Sequence, residues 1–446
     1  MAGSWNNMMK QINTYREAEA YISDIPKFTG KNSMEDTRRF LEHMGNPTQS
    51  CKIIHIAGTN GKGSVCAYLC SVLREAGIST GMFTSPHLVT MRERFTLDGR
   101  IMDEQEFMAA FRKVAEKLSD LPPELAAKSY HPSFFEFLFF MAMSFFGEAG
   151  VEYLVLETGL GGRLDATNAV QDKTMCVITQ IGYDHTEYLG ETLWQIAGEK
   201  AGIMRCGVPV VYPDRQEDVT KRMEEHARFV GAETVPLPIQ AIKEMKIHHK
   251  TIDFSLHLNY YGYIGFTVST AAVYQVENAA LALKALEQLR DDRITVPVMQ
   301  SGIRGMVWEG RMEEILPAVF LDGAHNIDGI RALLDTVRSQ PCHGRRRLLF
   351  SMVKDKQYES VIREIALSGL FDEIGLVALN GERALPIHVL KDSYGQYTGL
   401  HCKAYEDLET AFGSLALNKE EEDIVYIAGS LYLAGEIKAL LLKQVD

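Results

Sequence analysis

The segment Gly58-Thr59-Asn60-Gly61-Lys62-Gly63-Ser64 joins a short apolar run to a stretch with helical periodicity. Glycines leave backbone N–H groups free to wrap phosphate oxygens, and the helix start behind them presents the positive end of its dipole. Lys62 adds a point charge for the β- and γ-phosphates. The spacing departs from the common phosphate loop: two residues rather than four separate Gly58 from Gly61, and Gly63 intervenes before Ser64. A plain strand-to-helix turn could use the same glycines. The coincidence of glycines, lysine and serine favours a nucleotide phosphate held by Gly58, Thr59, Asn60, Gly61, Lys62, Gly63 and Ser64.

A triphosphate travels with a divalent cation, which calls for an acid at the C-terminal end of a nearby strand. Glu157 closes the apolar run that starts at Val151, and Thr158–Asn168 follows as a loop containing Gly159, Gly161, Gly162, Arg163 and Asp165. His185 likewise ends the run Ile181-Gly182-Tyr183-Asp184-His185. Ligands of parallel α/β sheets gather at strand C-termini, so both residues are expected to face one crevice. A surface glutamate and a hydrogen-bonded loop histidine are the plainer readings of each alone.

The elements that would position these groups alternate along the chain. Strands are expected at Ile53–Ala57, Ser79–Thr84, Val151–Leu156, Met175–Ile181 and Val208–Tyr212, with helices at Val65–Leu73 and Phe134–Phe146. The opening stretch to Pro47 reads as helical. Residues 246–269 alternate instead, with Ile252, Phe254, Leu256 and Leu258 on one face, and predict antiparallel hairpins. A helix over Gln275–Leu289 follows, and the polar run Arg290–Arg293 before Pro297 marks the expected domain division, 1–296 and 297–446. Beyond it, strands are expected at Ala318–Leu321, Leu348–Ser351, Ile374–Ala378 and Ile424–Ala428, with helices at Ile327–Val337, Asp407–Leu417 and Leu431–Leu442. Strand–helix–strand order at this spacing predicts mostly parallel, doubly wound α/β sheets.

Composition bounds the rest. The chain has 446 residues, 46% apolar and 24% charged, an ordinary globular balance. A formal charge of −13 argues against a bulk electrostatic grip on nucleic acid or anionic lipid, although a local pocket can still hold an anion. Seven cysteines in no framework spacing point to reduced thiols and a cytoplasmic protein. The N-terminus lacks a basic region followed by an apolar core, so no secretory signal is expected. Phe134–Phe146 is too short for the roughly 20 residues of a membrane span, and Glu136 interrupts it; a buried helix is the better reading.

Taken in order, the motifs resemble the bacterial folylpolyglutamate synthase/dihydrofolate synthase group within the Mur-ligase-like family of ATP-dependent amide ligases. The likeness is carried by Gly58–Ser64, TSPHL at Thr84–Leu88, ETGLGGRLDATN at Glu157–Asn168 and IGYDH at Ile181–His185. It continues with Glu199–Ile203, Glu277-Asn278-Ala279, LDGAHN at Leu321–Asn326 and Gly429-Ser430-Leu431-Tyr432. It implies a P-loop-type first domain with a small antiparallel element, a second Rossmann-like α/β domain acting as the glutamate ligase half, and an acyl-phosphate route to an amide. It also implies magnesium at Ser85, Glu157 and His185, and contacts to ATP from Asn278, Arg311 and Asp322. Lys200 matches a lysine that becomes a carbamate in this family, next to which a second divalent ion can sit. His325 and Ser430 match positions linked to the incoming L-glutamate, and Arg94 is a candidate for the acceptor's carboxylate tail, with a solvated surface arginine as its plainer reading. Lys62, His185, Lys200 and His325 are the implied catalytic set, and dihydropteroate or a folate the implied acceptor, with a monomer as the working unit. A Mur-type cell-wall ligase and a P-loop kinase or NTPase that makes no amide are the rival readings. Tyr183, Trp194 and Val353-Lys354-Asp355-Lys356 depart from the usual pattern.

Overall fold

The computed structural model describes residues 9, 11–26, 32–354, 358–381, 384–397 and 402–443. Asp355 and Lys356 of the departing segment lie outside that set. The first sheet contains β1 (Lys52–Ala57), β2 (Thr80–Phe83), β3 (Phe95–Leu97), β4 (Arg100–Ile101), β5 (Tyr153–Glu157), β6 (Met175–Ile178), β7 (Pro209–Asp214) and β8 (Glu233–Pro238). Their order is β4-β3-β2-β5-β1-β6-β7-β8, parallel from β2 to β8, with β3 and β4 running antiparallel at one edge. β1 is central and nearly all buried, as expected of a parallel strand covered on both faces. Its neighbours β5 and β6 both come later in the chain, so the order reverses around β1, the place where ligands of doubly wound sheets gather, beyond the strand C-termini.

Helix Phe134–Ala149 covers one face beside Glu104–Ser119 and the N-terminal helices. Ser133 and Glu136 form its capping box, and Gly150 ends it in the left-handed conformation at φ 63°. The buried Glu136 carboxylate is held by the Thr37 hydroxyl and the Asn32 amide, each at 2.8 Å. The helical opening resolves into Tyr15–Asp24 and Met34–His43, each started by its own capping box. On the opposite face, helices Lys62–Glu75, Gln275–Leu289 and Val296–Gly305 share one core with β10 and β11. That core includes the alternating residues Ile252, Phe254, Leu256 and Leu258, which lie on β10 (Ile252–Leu258) between β9 (Ile242–Ile247) and β11 (Gly262–Val268). Both pairings are antiparallel, as the alternation required.

The second sheet runs β12 (Glu313–Leu316), β13 (Val319–Leu321), β17 (Ile424–Ala428), β14 (Arg346–Phe350), β15 (Glu373–Leu376), β16 (Cys402–Ala404). Only β12–β13 is antiparallel, and helices cover both faces. The architecture is therefore two α/β sheets with a small antiparallel appendage. Helix Val296–Gly305 lies almost wholly beyond the division expected after residue 296, yet Met299 and Ile303 pack into the core of the first sheet. The Ser71 hydroxyl donates to the Gly302 carbonyl at 2.7 Å, and a Cβ on Gly302 would come within 2.6 Å of the Val72 Cα. Among the described residues no helix is long and apolar enough to cross a membrane.

Candidate functional site

Gly61 caps helix Lys62–Glu75 with φ 89° and no side-chain hydrogen bond, so the orphan N–H groups of the first turn are left for a ligand. Glycine suits that left-handed position, and a Cβ there would also collide with the Asn278 amide. Gly63 lies against Trp308, whose ring a Cβ would approach to 2.8 Å. The Lys62 Nζ folds back over its own loop, donating to the Gly58 and Thr59 carbonyls at 3.2 Å each, and stands 4.0 Å from Glu157. Ser64 is 1% exposed and its hydroxyl accepts from the Gln275 amide at 3.1 Å. That hydroxyl faces inward, leaving the backbone N–H as the group Ser64 can offer a phosphate. Gln275 in turn accepts from Asn278 at 3.0 Å.

The strand expected at Met175–Ile181 stops at Ile178 because the next residues pair with the phosphate loop. The Thr59 N–H donates to the Gln180 carbonyl at 2.8 Å, and the Thr179 hydroxyl donates to the Asn60 carbonyl at 2.6 Å.

Glu157 is 2% exposed, and its Oε2 accepts from the Ser85 N–H at 2.9 Å. Parallel pairing of β2 with β5 brings Ser85 there. Burial pushes the carboxyl up; Lys62, the Ser85 N–H, Arg311 and Arg94 pull it back. His185 adopts φ 49° before the short helix Thr186–Leu189, half-exposed, with its ring 3.7 Å from Asp184. Partial burial lowers its affinity for a proton. Among the described residues no three His, Cys, Asp or Glu side chains gather as a metal cluster. Magnesium asks for less, since it keeps several waters and takes one or two carboxylates. A buried acid such as Glu157, whose charge burial opposes, fits a divalent cation.

Lys200, on helix Leu193–Ala201, is 3% exposed and donates to the Gly58 carbonyl at 2.6 Å. Burial first, then Lys62, pull its ammonium down to about 7, so much of it is the neutral amine near neutral pH. Glu199 is paired with Arg163 at 2.8 Å rather than serving as partner to Lys200. The Arg163 N–H also donates to the Glu199 carbonyl, which fastens the glycine-rich loop to the Lys200 helix. Asp165 is buried within that loop and accepts from the Leu160 N–H and the Thr167 hydroxyl.

From the second sheet, Asp322 accepts from the Tyr274 hydroxyl at 2.5 Å, the Met312 N–H at 3.0 Å and the Ala324 N–H at 2.8 Å. Burial raises its carboxyl; Arg311 opposes this, as it does for Glu157. Arg311 thus lies within electrostatic reach of both acids. His325 sits 3.9 Å from Asp184 and bonds the Gly323 carbonyl through Nδ1. Ser430 is buried, and its hydroxyl accepts from the Tyr432 N–H at 3.0 Å at the start of helix Leu431–Lys443. Arg94 is not a solvated surface group. It is 5% exposed, donates through Nε to His87 Nδ1 at 2.9 Å, and lies over the Phe134 ring. Burial pulls it down to about 10.

Sequence reasoning missed three partners: His87 behind Arg94, Tyr274 on Asp322, and Asn326 across from the phosphate loop. His87 and Asn326 lie inside motifs already singled out, whereas Tyr274 carries no local signal. Of the departures, Tyr183 is exposed and Trp194 lies under the Arg222 guanidinium, whose carbon is 5.3 Å from the ring centre.

Residues 310–431 match the family model for the Mur ligase, glutamate ligase domain. The chain is 31% identical over 439 residues to a dihydrofolate synthase/folylpolyglutamate synthase of Bacillus subtilis, covering 96% of this chain and 99% of that protein. It is 28% identical over 438 residues to a folylpolyglutamate synthase of Lacticaseibacillus casei, covering 96% and 99%. Among solved structures, Escherichia coli FolC in complex with DHPP and ADP superposes with a TM-score of 0.85 at 25% identity, over 97% of this chain and 99% of that one. A Mycobacterium tuberculosis folylpolyglutamate synthase complexed with ADP and AMPPCP gives a TM-score of 0.85 at 27% identity, over 96% and 98%.

Proposed function

The chain belongs to the dihydrofolate synthase/folylpolyglutamate synthase family, and from that premise we propose that it uses ATP to join L-glutamate to dihydropteroate, to a folate, or to both. The observation that carries the reading is the crevice above β1, where Lys62 stands 4.0 Å from buried Glu157 and the Lys200 amine meets the Gly58 carbonyl.

The chemistry follows from the reactants. A carboxylate resists amines because oxide leaves poorly and the anion repels nucleophiles. Transfer of the γ-phosphoryl group breaks its bond to the β-phosphate oxygen and forms an acyl phosphate on the acceptor acid. The glutamate amine then attacks the acyl carbon, phosphate departs with the carbon–oxygen pair, and the amine gives up a proton.

In the phosphoryl step the protein mainly positions groups and neutralises charge. The N–H groups of Gly58–Ser64 would hold the phosphates. Lys62 would exchange its loop carbonyls for β- and γ-oxygens. Ser85, Glu157 and His185 would hold magnesium, which supplies charge neutralisation and a fixed orientation of the phosphates. Arg311 offers a planar fork to phosphate oxygens, while Asn278 and Asp322 would receive the nucleotide. His325 and Ser430 are assigned to the incoming glutamate, and Arg94 to the acceptor's carboxylate tail. Arg94's burial beside an imidazole and a phenyl ring suits an anionic guest. Lys200, neutral at modest cost, is suited to carbamate formation with CO₂, and a second divalent ion would then find an anion there.

The nucleotide-binding unit is taken to extend through Gly305, because Met299 and Ile303 share its core. One chain carries both walls of the cleft, which supports a monomer, checkable by sedimentation. All seven cysteines are free, which suits a reducing cytoplasm.

An ADP-release assay crossing dihydropteroate and tetrahydrofolate, each with and without L-glutamate, tests the activity. Release is expected only when an acceptor and glutamate are both present. Glutamate-independent release would favour an NTPase, and no release with either acceptor would refute the ligase reading.

A further inference from the structure

Asn326 follows His325 in sequence, and its side chain reaches the phosphate loop from the opposite sheet. Its Nδ2 donates to Asn60 Oδ1 at 3.0 Å and to Asp184 Oδ2 at 3.0 Å. Its Oδ1 accepts from Asn60 Nδ2 at 3.2 Å and from the Gly329 N–H at 2.8 Å. Both amide hydrogens and both acceptor positions are therefore used, at a residue only 4% exposed. A carboxylate there could not donate to either partner, and an aliphatic side chain would leave the Asn60 amide without these bonds and Asp184 without one of its donors.

The loop that carries Asp184 is gripped from both sides. The Thr59 hydroxyl donates to the Gly182 carbonyl and accepts from the Gly182 N–H, each at 3.1 Å. From the second sheet, Asp328 accepts from the Tyr183 N–H, and its carboxylate packs where a Cβ on Gly182 would stand. Asp184 in turn stands 3.7 Å from His185 and 3.9 Å from His325.

We propose that Asn326 and Asp184 are positioning residues that, with Asn60, form a three-way clasp seating the second sheet on the phosphate loop. The assignment rests on the ligase reading above. Each clasp residue lies next to, or within, a segment assigned to the reaction: Asn60 in the loop, Asp184 before His185, Asn326 after His325. The register of the clasp thus sets the distance between the phosphoryl donor and the groups that receive it. A displacement near 1 Å at a reacting centre costs up to about 10²-fold in rate.

Asn326→Ser separates this role from helix capping. Serine caps a helix about as well as asparagine, so the Gly329 bond survives, but serine is too short to reach Asn60 and Asp184. Two readouts apply to the full chain. Hydrogen exchange at residues 58–64 and 182–185 should quicken in the variant; unchanged exchange would overturn the clasp. In steady-state kinetics, kcat should fall by roughly 10- to 10²-fold while the ATP dissociation constant, from calorimetry, stays within about twofold. A wild-type kcat, or a loss carried wholly by ATP affinity, would overturn the positioning role. Asn60→Ala combined with Asn326→Ser should cost less than the product of the two single losses, because the Asn60–Asn326 bonds are shared while the Asp184 bond is lost only with Asn326; fully multiplied losses would count against a shared clasp. A wild-type chain without glutamate-dependent ADP release would refute the ligase reading instead, and the exchange measurement would still decide the clasp.

Discussion

Three lysines among the described residues of the first unit are buried, and burial draws two of them, Lys173 and Lys200, to about 7. Lys173 donates to Asn168 Oδ1 at 2.7 Å and to the Ile203 carbonyl at 2.8 Å. Arg205 reaches the same asparagine and the carbonyls of Gly202, Ile203 and Met204. Arg205 sits just past the C-terminal end of the Lys200 helix, where its positive charge complements the dipole, and Lys173 bonds a carbonyl of the same segment. Lys200 instead points at the phosphate loop, with Lys62 as its neighbouring cation and the Gly58 carbonyl as its acceptor. The same displaced pKa therefore marks a structural clamp in one place and, on the proposed reading, a reactive amine in the other. A shifted value reports burial; the partners decide what the group is for.

Lys62→Ala should cut kcat by at least about 10²–10³-fold, because it removes a cation from the site of developing phosphoryl charge. A fully active variant would disprove its role. Lys200→Ala should lower kcat by roughly 10²-fold, with partial recovery when short carboxylic acids are added. Wild-type turnover in that variant would end the carbamate assignment.

Lys173→Met should leave kcat near wild type and change stability with pH. The folded chain disfavours the ammonium, so between about 7 and the ordinary 10.5 the unfolded chain binds more protons. Wild-type stability contributed by this group is therefore lowest below about 7 and rises as pH climbs through that window. The wild-type thermal midpoint minus that of the variant should increase from pH 7 towards 10; a flat difference would contradict the burial of Lys173. The smallest effect is expected for Glu199→Gln. Its partner is the exposed Arg163, so the loss should stay below about 1 kcal/mol in chemical denaturation. A large loss of turnover would instead mean that Glu199 acts on Lys200.

Much of the crevice was readable because its signals are local. Glycines, a lysine and a strand end lie within a few residues of one another, and period-two and helical patterns each report which faces are covered. The antiparallel appendage was legible for the same reason: Ile252 to Leu258 alternate without interruption. Edge elements were not. β3, β4, β8, β12 and β16 are short or largely exposed, so no apolar run announces them. Helix Val296–Gly305 follows a polar run that resembles a linker, and only tertiary packing, with Met299 and Ile303 buried and Gly302 against Val72, assigns it to the first core.

By itself, then, the order of residues determined where a glycine-rich loop would join a strand to a helix, which acid would close a central strand, and that two mostly parallel sheets would form. Tertiary structure decided the directions and partners of the side chains. It turned the Ser64 hydroxyl onto Gln275, buried Arg94 against His87 and Phe134, and joined Asn60 to Asn326 across 266 positions of sequence. Backbone preference is set by neighbours in the chain, whereas a hydrogen bond between distant side chains exists only once the whole chain has packed.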